Sequence, residues 1–225
     1  MEPYESIYAG QFVFMLGYLC AERGLKPAGN AVALLAQNRG DELVGDLISS
    51  WGGLTSIVEF KRRESAVRTE FRKPAKQHFL NRLRDKKWAR LRDASRRGHL
   101  VAFGDVVRGA ADMSVLPYAD IEDAPKQRSP SMSMRDLLDR ILGGSVGLDP
   151  TTFRHYVSAL MESHSDVGAG SSDSGTLSAL TVRYDALTKS FTFLVVDLLH
   201  FREVRLEQGL SGPSLGVARD VDLGL

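Results

Sequence analysis

The chain predicts an α/β fold: a small mixed β-sheet flanked by helices, followed by an α+β C-terminal elaboration. Three observations carry this expectation. Two short apolar runs, around Leu47-Ile48 and Ile57-Val58, stand either side of Trp51-Gly52-Gly53 and read as a β-hairpin. A stretch of helical period, Ala75–Arg97, follows. After it comes a further apolar run, His99–Phe103. Strand, helix, strand is a crossover connection, and crossovers join strands of a parallel or mixed sheet.

Each element has its own signal. Glu5–Arg23 reads as a helix whose apolar residues, Ile7, Phe12, Phe14, Met15, Leu16 and Leu19, cover most of its surface, so it is expected to be buried. Gly24 and Pro27 end it. Asn30–Gln37 is apolar and fits a short helix or a strand. After the hairpin, Phe79, Leu80, Leu83, Trp88 and Leu91 give the long basic helix a partial apolar stripe, and Gly98 caps it. Val115–Ile121 reads as a short edge strand. The polar segment Glu122–Ser133 is the best internal boundary. It divides a core, residues 1–124, from an elaboration, residues 125–225, which forms a unit of its own or part of the same domain. Two amphipathic helices follow, Met134–Leu142 and Pro150–Ser163, the second with Asp149 as N-cap and Pro150 at its first position. Ser165–Gly175 reads as a flexible low-complexity loop, and the Gly-rich tail from Gln208 as loosely held. Leu177–Tyr184 and Phe191–Leu199 read as a second hairpin. That hairpin is too apolar to stand alone. It must extend the sheet, cover the helices or pair with another chain, and it is the expected surface for a protein partner or a homo-oligomer.

Composition narrows the class. The chain has 225 residues, 43% of them hydrophobic and 25% charged, which is ordinary for a globular protein. The single cysteine, Cys20, excludes an intramolecular disulfide and a cysteine-rich zinc site, and its apolar setting suits an inert thiol. The acidic start Met1-Glu2-Pro3-Tyr4-Glu5 is unlike a secretory signal, and the apolar run Ile7–Leu19 is too short to span a bilayer. A cytoplasmic protein with no membrane partner is expected. None of the five histidines is paired at a metal-ligand spacing, and there is no G-x-x-x-x-G-K-[ST] loop and no G-x-S-x-G elbow.

The net charge of +1 hides an asymmetry. Lys61–Arg97 holds fifteen Lys/Arg against four Asp/Glu, a local charge of +11. A basic block in an otherwise acidic chain fits a polyanion-facing surface, a solvated helix face, or a face that meets acidic groups of the same chain or a partner.

Chemistry concentrates on the first hairpin. In a strand, positions i and i+2 share a face, so Glu59 and Lys61 project together and Phe60 projects the other way. Asp46, near the start of the neighbouring strand, can reach the same face. Two carboxylates beside a lysine offer hard oxygen ligands and a cation, which suits metal-assisted phosphodiester cleavage. An ordinary surface hairpin with a solvated Glu–Lys pair would carry the same three residues.

Asp46 and Glu59-x-Lys61 on a β-hairpin, after an N-terminal helix, resemble the PD-(D/E)xK nuclease superfamily. Gly45 stands where the family pattern has proline. The resemblance covers roughly the first half of the chain. It implies a restriction-endonuclease-like mixed sheet, magnesium or manganese held by Asp46 and Glu59, and Lys61 acting on the attacking water. It also implies an acidic residue on the first helix, for which Glu5 is preferred over Glu22. Asp41 lies close to Asp46 but fits the spacing less well. Arg62, Arg63, Arg72, Lys73 and Lys76 are candidates for gripping nucleic-acid phosphates, and Lys76 or Gln77 for turning towards the metal. The leading expectation is therefore a magnesium-dependent deoxyribonuclease, serving as a subunit of a defence (phage defence) or mobile-element system. The alternatives are a non-catalytic nucleic-acid-binding or partner-docking adaptor with the same fold, and a structural protein whose C-terminal half forms an oligomer interface.

Overall fold

The computed structural model of the chain describes residues 4–25, 31–34, 45–70, 72–107, 110–121, 132–165, 178–185 and 190–197. Asp41 and residues 122–131, 166–177 and 198–225, on which the expected boundary, loop and tail fall, lie outside the described residues.

The fold is mixed α/β. Helix α1 (Glu5–Glu22) precedes strands β1 (Ala31–Leu34), β2 (Leu47–Trp51) and β3 (Leu54–Lys61). Helices α2 (Glu64–Glu70), α3 (Pro74–Arg84) and α4 (Ala89–Gly98) lead to β4 (His99–Val107) and β5 (Ala110–Pro117). Strand β6 (Met132–Ser133), helices α5 (Met134–Leu142) and α6 (Pro150–Ser165), and strands β7 (Ser178–Asp185) and β8 (Ser190–Asp197) complete the described elements. The strands form one sheet in the order β6-β5-β4-β3-β2-β1-β7-β8. Strands β3 and β4 pair in parallel, Ile57 opposite His99 and Lys61 opposite Phe103. The other pairs are antiparallel. The expected crossover is therefore present, and the C-terminal hairpin β7–β8 extends the sheet through β1, with Ala33 opposite Thr181.

Strand alternation divides the core between two faces. Ile57 of β3 packs with Phe79, Leu80 and Leu83 of α3, Ala94 of α4, and Tyr156, Val157 and Leu160 of α6. Val58 and Phe60 face the other way, onto Tyr8, Phe12 and Leu16 of α1 and Leu137, Leu138 and Ile141 of α5. A crossover helix on one face and the N-terminal helix on the other bury β3 on both sides. That explains why its exposure is near zero along most of its length. Gly98 is required by close packing: a Cβ there would lie 2.4 Å from Leu148 Cγ.

Three expectations are corrected. Helix α1 is not buried all round. Tyr8, Ala9, Phe12, Leu16 and Leu19 are buried, but Ile7, Phe14 and Tyr18 are exposed. The long basic helix is two helices. Asp85 leaves the helical conformation at ψ 130°, and its carboxylate accepts the Lys87 N–H at 3.0 Å. That local bond competes with continuation of the ladder, so a short 3₁₀ turn, Lys86–Trp88, separates α3 from α4. Val115–Ile121 is not a short edge strand: β5 ends at Pro117, a 3₁₀ turn covers Tyr118–Asp120, and β5 is paired on both sides, with β4 and β6. The N-terminal signals of the two C-terminal helices hold: Asp149 caps α6, accepting from the N–H groups of Thr151 and Thr152 at 3.0 and 3.1 Å. Ser133 and Asp136 form a capping box on α5. Among the described residues no helix is long and apolar enough to cross a membrane.

Candidate active site

Glu59 and Lys61 lie on the α3 face of β3, as their parity with Ile57 requires. Both are buried, at 3% and 8% exposure. Lys61 Nζ is 2.9 Å from Glu59 Oε1. A second ammonium reaches the same oxygen: Lys76 Nζ, at 2.5 Å. Pro74 occupies the first turn of α3 and sets where it begins. That phase turns Ala75 and Lys76 inward and leaves Gln77 exposed. Lys76, a candidate phosphate grip in the sequence, is thus placed inside the protein against Glu59. Burial alone would raise the Glu59 carboxyl, but Lys76 and Lys61 together outweigh it and hold the group well below the usual carboxylate range.

Asp46 stands one residue ahead of β2. Its N–H donates to the Val58 carbonyl at 3.2 Å, and its Oδ2 accepts the backbone N–H of Phe60. The carboxylate therefore sits on the β3 backbone between Glu59 and Lys61. Gly45 makes this possible. Its φ of +141° is open to glycine and closed to proline, and a Cβ would lie 2.9 Å from Ile57 Cγ2.

The other predicted residues are distributed as follows. Glu5 is half-buried in the first turn of α1, a helix that packs on the Val58 and Phe60 face, opposite Glu59. Arg62, Arg63, Arg72 and Lys73 are exposed beside the end of β3 and the start of α3. The Arg62 guanidinium lies 4.4 Å from the centre of the Tyr4 ring, which places the start of α1 near that cationic margin. Part of the basic block is engaged within the chain: Arg82 meets the Ala159 carbonyl at 3.3 Å and Ser163 Oγ at 3.1 Å, and the exposed Arg96 pairs with Asp120 at 2.9 Å. Trp88 is half-buried, with Arg82 over its ring at 4.4 Å. Cys20 is half-buried, and burial pushes its thiol up, in keeping with an unreactive group.

A buried polar chain beside the cluster was not foreseen. Tyr156 donates to Ser95 Oγ at 3.0 Å, and its oxygen lies 2.8 Å from His99 Nδ1. With the tyrosine hydrogen on Ser95, His99 must donate through Nδ1–H. Its Nε2 is then a bare acceptor, buried and without a hydrogen-bond partner among the described residues. The ring stacks on Tyr118, centroids 4.0 Å apart. The available signal was a histidine opening an apolar strand, too common to stand out. Burial holds His99 down to about 3, against the pull of the Glu59 carboxylate. His99 is therefore neutral near pH 7, and the charge that keeps Glu59 ionised comes from the two lysines.

This sets a pH dependence. The unfolded chain protonates His99 near pH 6.5 and the folded chain only near 3. The unfolded state binds more protons between those values, so stability falls as pH drops through that window. Glu59 adds to the loss lower down, because its ionised form is the one the lysines stabilise. The urea midpoint should decline from about pH 6.5 downwards, and His99→Asn should flatten the part between 6.5 and 5. A wild-type midpoint that stays constant from pH 7 to 5 would contradict a neutral, buried His99.

Two carboxylates, Asp46 and Glu59, are candidates for holding a divalent ion. Glu59 Oε2 is buried and has no hydrogen-bond partner among the described residues, while Oε1 takes both lysines. An orphaned buried carboxylate oxygen fits a ligand atom. Among the described residues no group of three or more His, Cys, Asp or Glu is placed to hold a metal. Magnesium accepts so sparse a set, since it keeps several waters and binds through one or two carboxylates. Comparison of the chain with protein-family models, with curated proteins and with solved structures found no match.

Proposed function

We propose that the protein is a magnesium- or manganese-dependent nuclease acting on DNA, with a restriction-endonuclease-like core of the PD-(D/E)xK type. One observation carries the reading. Glu59 is buried with both lysines on one oxygen and, among the described residues, no hydrogen-bond partner on the other, while Asp46 sits on the backbone beside it. The finer fold assignment is supported by the order of elements around β3: helix, hairpin, helical crossover, parallel strand.

Asp46 and Glu59 would hold the ion. When bound it neutralises phosphate oxygens and lowers the pKa of a coordinated water. Lys61 orients the attacking water and stabilises charge developing on the phosphate. Lys76 gives this step a specific support: when Lys61 turns to the substrate, Glu59 keeps a buried counter-charge. Arg62, Arg63, Arg72 and Lys73 hold the backbone at the margin without reading bases.

Purified protein should nick plasmid DNA with magnesium or manganese and stop when EDTA is added. Binding should weaken steeply with salt, log K against log[salt] flattening by about 0.9 for each phosphate contact removed. Charge reversal at Arg62, Arg63 and Lys73 should weaken binding equally across unrelated sequences. Affinity indifferent to ionic strength would instead assign the exposed cations to a protein partner. The second reading, a non-catalytic adaptor, is favoured by the same cluster seen as closed: Glu59 neutralised by lysines and Asp46 engaged by Phe60. Binding without cleavage under any divalent ion would select it.

A further inference from the structure

We propose that the outer face of α1 is a self-association surface, and that its occupant is α1 of a second copy of this chain. Among the described residues the large exposed hydrophobic side chains are Tyr4, Ile7, Phe14 and Tyr18, at 63%, 49%, 69% and 60% exposure. All four lie on one helix or its N-cap. Among the other residues whose burial the structure describes, the large apolar groups are buried or half-buried.

The face is built as a ridge beside a groove. Ile7, Phe14 and Tyr18 recur at i, i+7 and i+11 and line up along one stripe. Gly10 and Gly17 lie beside it, one heptad apart and both exposed. A Cβ built at either would meet nothing within 4 Å, so packing inside the molecule does not require glycine at these positions. Both weaken a helix interior. A shallow track that admits a neighbouring helix is a use for them that the monomer does not supply. A ridge and a groove on the same helix are complementary to each other, which is the requirement for a two-fold interface.

Area and charge point to the same occupant. The four side chains offer roughly 400–500 Å² of apolar surface, at about 200 Å² for a whole aromatic group. A standard interface buries about 800 Å² per partner, a little over half of it apolar, so this face matches the apolar part of one. From Ser6 to Ala21 the helix carries no charged residue. Beyond Arg62, which lies over Tyr4 at the N-cap, a polyanion or a charged protein would find no counter-charge on this stretch of the helix, whereas a copy of the same face needs none.

The test is sedimentation velocity of the full chain from about 1 to 100 µM, where interfaces of this size commonly assemble. Wild type should sediment as a dimer at the upper end, and Phe14→Glu should weaken association at least tenfold. Gly17→Leu supplies the control for folding. With open space around it, leucine should leave the melting temperature unchanged or raise it, yet block the groove and weaken the dimer. Wild type monomeric at 100 µM overturns the proposal, including the case in which Phe14→Glu lowers the melting temperature because the chain covers its own face. A dimer that Phe14→Glu and Gly17→Leu leave intact also overturns it.

Discussion

Glu59→Gln should lower the stability of the protein by about 3–5 kcal/mol, the usual cost of breaking a buried ion pair from one side. Glutamine matches glutamate in shape, so packing is preserved and the change is electrostatic. Lys61 and Lys76 both lie on Glu59 Oε1, at 2.9 and 2.5 Å, and both are buried. Removing the carboxylate leaves two ammonium groups inside the protein with their shared counter-charge gone. Lys76→Met should cost less, because Lys61 continues to pair with Glu59 and methionine refills most of the volume. Urea unfolding at pH 7 measures both. A loss below about 1 kcal/mol for Glu59→Gln would mean that the lysines do not depend on it.

The second large effect is on activity. Lys61→Ala should reduce single-turnover DNA cleavage by about 10²–10⁴-fold, the span associated with a positioned acid–base group. DNA affinity should change little, since the exposed Arg62, Arg63, Arg72 and Lys73 remain. The fold should survive because Lys76 still neutralises Glu59. A fall in rate with unchanged affinity and an intact melting transition assigns Lys61 to the chemical step. Cleavage equal to wild type removes Lys61 from it.

The first hairpin was legible because its information is local. Turn glycines, strand parity and the i, i+2 spacing place Glu59 and Lys61 on one face without reference to the rest of the chain. The crossover to His99, the C-terminal helices and the second hairpin were legible for the same reason. What was not legible depends on tertiary partners. Lys76 could be solvated or inward from its sequence, and the start of α3 at Pro74 against β3 decided it. The His99–Tyr156–Ser95 chain joins residues 57 and 61 positions apart, beyond any local pattern. The exposed stripe on α1 was read as core because apolar residues ring the helix. A single sheet face can cover only one side of it. The break at Asp85 had a local signal, an acidic residue able to cap Lys87, which the periodicity of the surrounding residues masked.

The most direct test of a divalent site at Asp46 and Glu59 is manganese binding, followed by electron paramagnetic resonance on wild type and on Asp46→Asn, with plasmid cleavage read on the same samples. Asparagine can still accept the Phe60 N–H through its side-chain oxygen, so the turn at Gly45 is kept and only the charge is lost. Wild type should take up manganese and cleave, and Asp46→Asn should lose both with its melting temperature unchanged. A wild-type protein that neither binds manganese nor cleaves DNA would contradict the account, leaving Glu59, Lys61 and Lys76 as a structural ion cluster.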